Sequence, residues 1–79
     1  MHIRVRLFAT LAKLVPDTTP GKALDVELPA GTTVADLINH LSLPMAEIRM
    51  VFVNGRARPA DWVLNPEDEV GIFPPVGGG

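Results

Sequence analysis

The sequence predicts an α+β domain in which one sheet packs on one main helix. Four segments, residues 3–8, 24–28, 50–53 and 69–73, alternate apolar with polar residues or run apolar at strand length. A main helical stripe occurs in residues 33–41, and a shorter one in 9–15. Seventy-nine residues make a single small domain, so a sheet covered by one main helix is the economical way to bury these faces.

Each element has its own local cause. Ile3, Val5 and Leu7 alternate with Arg4, Arg6 and Phe8, which predicts a half-buried strand. Leu11, Leu14 and Val15 then fall at helical spacing, and Pro16-Asp17 with Pro20-Gly21 break that short helix into a loop. Leu24, Val26 and Leu28 alternate with Asp25 and Glu27, giving a second strand that pairs with the first. Thr33 suits a helix N-cap, with Asp36 three residues on to close a capping box and favour the positive end of the helix dipole. Val34, Leu37, Ile38 and Leu41 form the stripe, and Pro44 places the end near Leu41 or Ser42. Met50-Val51-Phe52-Val53 stops at Asn54-Gly55, a strong short-range signal for a tight turn between strands. Residues 59–62 read as an irregular connection. Asn65-Pro66-Glu67-Asp68 is a further turn, and it feeds a last strand with Val70 and Ile72 on its core face.

Composition narrows the function. With 47% hydrophobic and 20% charged residues, the chain has an ordinary globular balance and is expected to form a packed core. It contains no cysteine, which excludes disulfides, thiolate metal sites and a cysteine nucleophile. A net charge of −2 argues against nucleic-acid or membrane-surface partners, which call for a basic stripe. No segment reaches transmembrane length and the start lacks a signal-peptide pattern, so a cytoplasmic location is expected.

Side chains that could do chemistry are scarce. His2 and His40 stand apart along the chain with no cysteines and no clustered carboxylates, so no metal site is expected. Glu67-Asp68-Glu69 reads as a solvated turn without a partner base. Ser42 is the only serine and has no recognisable base for a triad. Gly71, inside the last strand pattern, marks a bulge or a close approach of another backbone. The aromatic residues carry more information. Phe8, Phe52 and Phe73 all fall out of phase with the core positions of their strands, so together they predict an exposed apolar patch of the kind that docks partners. The competing reading is a sheet face covered by a loop containing Trp62.

The tail is the strongest pointer. Phe73-Pro74-Pro75-Val76-Gly77-Gly78-Gly79 places a glycine run at the α-carboxylate, where the absence of a Cβ lets the chain enter a narrow tunnel. Pro74 and Pro75 end the strand and start the tail semi-extended. The tail therefore points to chemistry at the C-terminus itself, against the alternative of an inert terminal linker.

These residues resemble the MoaD/ThiS family of ubiquitin-like sulfur carriers, and most closely its molybdopterin branch. The likeness runs from residues 3–15 through 31–41 and Val51-Phe52-Val53-Asn54-Gly55 to the tail, where Phe73-Pro74-Pro75-Val76 favours that branch. One departure is Ala57, where the family usually carries a large apolar residue. The resemblance implies a β-grasp fold, a mixed sheet on one main helix, with residues 1–74 as the domain and 75–79 as a flexible tail. It further implies that an E1-like adenylyltransferase, using ATP and Mg, adenylates Gly79. Sulfur from a cysteine desulfurase or rhodanese-type donor would then give a thiocarboxylate at the Gly78-Gly79 end. The chain itself would bind no cofactor. Phe8, Phe52, Phe73, Pro74, Pro75, Val76 and Gly77 would contact partners, among them the molybdopterin synthase large subunit, which receives the sulfur for a pyranopterin. The same tail chemistry would equally serve thiamine, thiolated tRNA or cysteine synthesis, or protein modification, and an inert interaction domain is the remaining alternative.

Overall fold

The structure, a computed structural model, describes residues 1–75. Strand β1 (His2–Leu7) is an interior strand of the one sheet among these residues, with β2 (Ala23–Glu27) antiparallel on one side and the central β5 (Glu69–Phe73) parallel on the other. Strand β3 (Met50–Val53) pairs antiparallel with β5, and the two-residue β4 (Arg56–Ala57) closes the far edge. The order is β2-β1-β5-β3-β4, a mixed sheet.

The registers confirm the predicted facing. Val5 lies opposite Val70 and Leu7 opposite Ile72, while Val51 pairs with Ile72 and Val53 with Val70. All of these are buried, and they pack with Val34, Leu37 and Ile38 of the helix α1 (Val34–His40). Each fully buried aliphatic side chain contributes roughly 1.5–3 kcal/mol, so this layer is the main source of stability for a chain with no cysteine to form a disulfide. The predicted capping box is present: Thr33 Oγ1 accepts from the Asp36 N–H at 3.2 Å, and Asp36 Oδ2 accepts from the Thr33 N–H at 3.1 Å.

The helix ends where the sequence places it, at His40 with Leu41 as its C-cap. Ser42 takes φ +57°, its N–H donates to the Asn39 carbonyl at 3.0 Å, and the Leu43 N–H donates to the Ile38 carbonyl at 3.1 Å. This is a Schellman ending with serine where glycine is usual, followed by the buried Leu43 as its apolar contact. The segment read as a short helix over 9–15 is a 3-10 helix, Ala9–Leu14, which buries Leu11 and Ala12 but leaves Leu14 exposed. A second 3-10 turn, Met45–Glu47, leads into β3.

The Asn54-Gly55 prediction holds in detail. Val53 pairs with Arg56 across the two-residue loop, and Asn54 and Gly55 have φ +52° and +83°, the positive values of a type I′ turn. The acidic turn differs from expectation. Asp68 is buried, not solvated: its Oδ1 accepts from Asn54 Nδ2 at 2.9 Å and its Oδ2 from the Asn65 N–H at 2.8 Å. Asn54 Oδ1 in turn accepts from the Glu69 N–H at 2.9 Å. The carboxylate thus ties the 65–68 turn to the β3–β4 hairpin and fixes where β5 begins. Periodicity could not reveal this, because the side-chain partner Asn54 lies on a different turn.

Candidate functional site

The face of the sheet away from the helix is divided along its strands. Near the start of β1 it is charged: His2 Nε2 lies 2.8 Å from Asp25 Oδ1 and Nδ1 lies 3.2 Å from Glu67 Oε2, with Arg4 Nε 3.7 Å from Asp25. Those two carboxylates hold the imidazole pKa above its ordinary value, the Asp25 hydrogen bond being the larger cause and Glu67 the next. Toward the end of β5 the face becomes aromatic.

Phe8, which follows β1, and Phe73, the last residue of β5, stack with ring centroids 4.2 Å apart and planes inclined by 1°. Phe52 of β3 meets Phe73 edge to face at 5.5 Å, inclined by 87°. All three are half-buried. Strand alternation explains their meeting: Phe52 pairs with Gly71 across β3 and β5, and Gly71 and Phe73 share a face two residues apart. Gly71 makes no bulge. A Cβ there would sit 3.3 Å from Phe73 Cε1 and 3.4 Å from Phe8 Cε2, so the missing side chain lets the rings lie low over the strand.

The three rings, with Arg6, Gly71 and Glu69, line an open groove of about 370 Å³. Arg6 is held there by Nη1 donating to the Gly21 carbonyl at 2.8 Å. Trp62 does not cover this face. Its carbonyl accepts from the Val34 N–H at 2.9 Å and its ring packs against the core on the helix side, so the competing reading of the aromatic residues is set aside. Pro74 is half-buried and Pro75 exposed immediately beyond β5. Val76, Gly77, Gly78 and Gly79, the other predicted site residues, lie outside the described residues. Arg6 and Met50 escaped the sequence reading, although the phase that exposed Phe52 also places Met50, opposite Phe73, on this face.

Among the described residues no cluster of three or more His, Asp or Glu side chains could hold a metal, and no helix is long and apolar enough to cross a membrane. The arrangement offers no nucleophile with its base. What it offers is an apolar aromatic platform beside Pro74 and Pro75, suited to docking.

A mixed five-stranded sheet grasping one helix in this order is the ubiquitin-like β-grasp fold of the ThiS/MoaD-type sulfur carriers. The chain belongs to the ThiS family, whose model matches residues 5–79. Among solved structures it is similar to a Pyrococcus furiosus protein assigned as molybdopterin converting factor, subunit 1, at 28% identity and a TM-score of 0.76, over 96% of this chain and 99% of that one. It is also similar to SAMP1, the small archaeal modifier protein 1 of Haloferax volcanii, at 25% identity and a TM-score of 0.73, over the whole of both chains. The fold recurs at 16% identity, with a TM-score of 0.64 and full coverage of both chains, in a Helicobacter pylori complex of subunits 1 and 2 of molybdopterin-converting factor. No curated protein matches the chain in sequence.

Proposed function

We propose that this chain carries sulfur on Gly79 as the small subunit of molybdopterin synthase. An E1-like enzyme with ATP and Mg converts the Gly79 carboxylate to an acyl adenylate, releasing pyrophosphate. The outer sulfur of a persulfide donor of the cysteine desulfurase or rhodanese type then displaces AMP to form an acyl disulfide, and a second thiol of the activating machinery cleaves its S–S bond, leaving a thiocarboxylate on Gly79 and a disulfide on the thiol partners. The aromatic face docks on a large catalytic subunit, and Pro74-Pro75 aims Gly77-Gly78-Gly79 into its active site, where sulfur passes to a pyranopterin. The observation that carries the reading is the Phe8–Phe73–Phe52 platform at the root of the tail, in a chain whose family match extends through residue 79.

The division of labour is physically coherent. The sheet supplies a preorganised binding surface, the proline pair limits the conformations of the tail, and glycines without Cβ atoms allow close approach in a tunnel. A second reading, attachment of Gly79 to protein amines as a modifier, is favoured by the likeness to SAMP1.

Incubation with the E1-like enzyme of its host, MgATP and a sulfur donor tests the first step. Intact-mass spectrometry is expected to show one oxygen of the chain exchanged for sulfur, and deletion of Gly78-Gly79 to abolish it. Addition of the large subunit and precursor pterin is then expected to return the chain to its carboxylate as dithiolene forms. A chain that is charged but transfers sulfur only to another acceptor, or appears as an amide conjugate, would move the assignment to the second reading or another pathway.

A further inference from the structure

A second pocket lies around the edge of the sheet from the aromatic face. Its walls are apolar: Val34 and Ile38 of α1, Met45 and Ile48 from the segment before β3, and Val51. It encloses about 230 Å³ and is the more closed of the two, large enough for one aliphatic or aromatic side chain. Two arginines, Arg49 and Arg58, also line it.

Arg58 is the unusual member. Its backbone N–H donates to the Val51 carbonyl at 2.9 Å, and its guanidinium carbon sits 4.0 Å over the Trp62 ring, so the side chain is held in place before any ligand arrives. Yet Nε is buried with no hydrogen-bond partner, and neither Arg58 nor Arg49 forms an ion pair among the described residues. A buried charged donor without an acceptor is costly, and an orphaned Nε–H on a guanidinium held in place is a donor that a carboxylate completes. Arg49 lines the same pocket, its main chain held by the backbone N–H donating to the Phe73 carbonyl at 2.9 Å.

The geometry points to a docking site for a partner-protein segment that presents an apolar side chain flanked by carboxylates, the side chain filling the pocket and the carboxylates meeting Arg58 and Arg49. Charge complementarity selects the occupant: the pocket's ionisable lining is wholly cationic in a chain of net charge −2, so an acidic segment is drawn to this edge and a basic one is repelled. Met50 lines this pocket and also pairs opposite Phe73, so a partner seated on the aromatic face can reach around β3 into it. The proposal concerns binding alone and is read without any sulfur chemistry, so it can fail while the carrier reading stands.

The test is an amide and side-chain NMR titration of the full chain with the capped peptide acetyl-Glu-Leu-Glu-amide, alongside acetyl-Lys-Leu-Lys-amide, acetyl-Glu-Gly-Glu-amide and free isovalerate. Saturable shifts at Ile38, Ile48, Val51 and Arg58 with the first peptide, and none of comparable size with the others, are expected. Arg58→Met and Arg49→Gln are each expected to weaken that peptide by about tenfold or more. Arg58→Met loses the guanidinium contact with Trp62 but also removes the orphaned Nε, so its melting midpoint is expected to stay within about 4 °C of the parent. Equal response to the basic peptide, equal affinity for isovalerate, shifts confined to Phe8 and Phe52, or an Arg58→Met chain that melts early yet binds normally would each overturn the assignment.

Discussion

Phe8 and Phe73 stack face to face at 4.2 Å although they come from opposite ends of the chain, because β1 and β5 run parallel and finish side by side. The contact gives β5 a double role. Val70 and Ile72 on one side lock the strand into the core, while Phe73 on the other builds the platform from which the tail departs. Fold and proposed docking surface therefore meet in a single five-residue strand, on opposite faces of it.

That separation can be tested by one charge placed on each face. Phe73→Arg removes the stack on Phe8 and the edge contact with Phe52, which together contribute about 1–3 kcal/mol, so a modest loss of stability is expected in denaturant melts. Binding to the large subunit is expected to weaken by at least ~2 kcal/mol, as for loss of a central aromatic anchor. Ile72→Arg, at a fully buried position, is expected to unfold the domain because an unpaired charge enters the core. Measured melts in the reverse order would invert the facing of β5.

Much of this was legible because the signals are local. Alternation in residues 3–7 and 70–73 set which side chains face the helix, Thr33 with Asp36 set where α1 starts, and Asn54-Gly55 set the hairpin. The same alternation placed the three phenylalanines off the core. What escaped was long-range or lacked a period. Nothing around Asp68 announces that one of its oxygens will be claimed by Asn54, and nothing in Arg58 announces the ring of Trp62 beneath it. The left-handed ending at Ser42 was illegible for another reason, since a serine carries none of the glycine signature of a helix C-terminus.

Asp68→Ala is expected to cost about 2–4 kcal/mol, a large effect for a residue in a surface turn. Two hydrogen bonds to a charged acceptor disappear, and the Asn65 N–H and the Asn54 amide lose their partner. Asp68→Asn retains one acceptor oxygen and is expected to fall between the two. Equilibrium urea melts give both values, and hydrogen exchange in β4 should speed up with them if the hairpin is tethered as described.

Ser42→Val is expected to destabilise by about 1–3 kcal/mol, although the site is exposed and most such substitutions stay within about half a kcal/mol. The cause is the backbone. At φ +57° a β-branched side chain is a steric outlier, whereas glycine is at ease. Ser42→Gly should therefore retain the parent stability or exceed it, and thermal melts of the pair isolate the strain from any lost contact.

The cluster around His2 predicts how stability varies with pH. Asp25 first and Glu67 second favour the imidazolium, so the folded pKa stands above the ordinary 6.5 while the unfolded chain keeps about that value. The folded state then binds the proton more tightly. Its contribution is fully present below pH 6.5 and is lost as the pH rises through the raised folded value. The ring has 29% of its side chain exposed and both carboxylates are largely exposed, so added salt should shrink the effect. Melting midpoints of the parent are expected to fall across that window, and those of His2→Gln, which cannot charge, to stay flatter. NMR titration of the His2 ring reads the folded value directly; a midpoint at or below 6.5 would show that the two carboxylates do not hold the ring in solution.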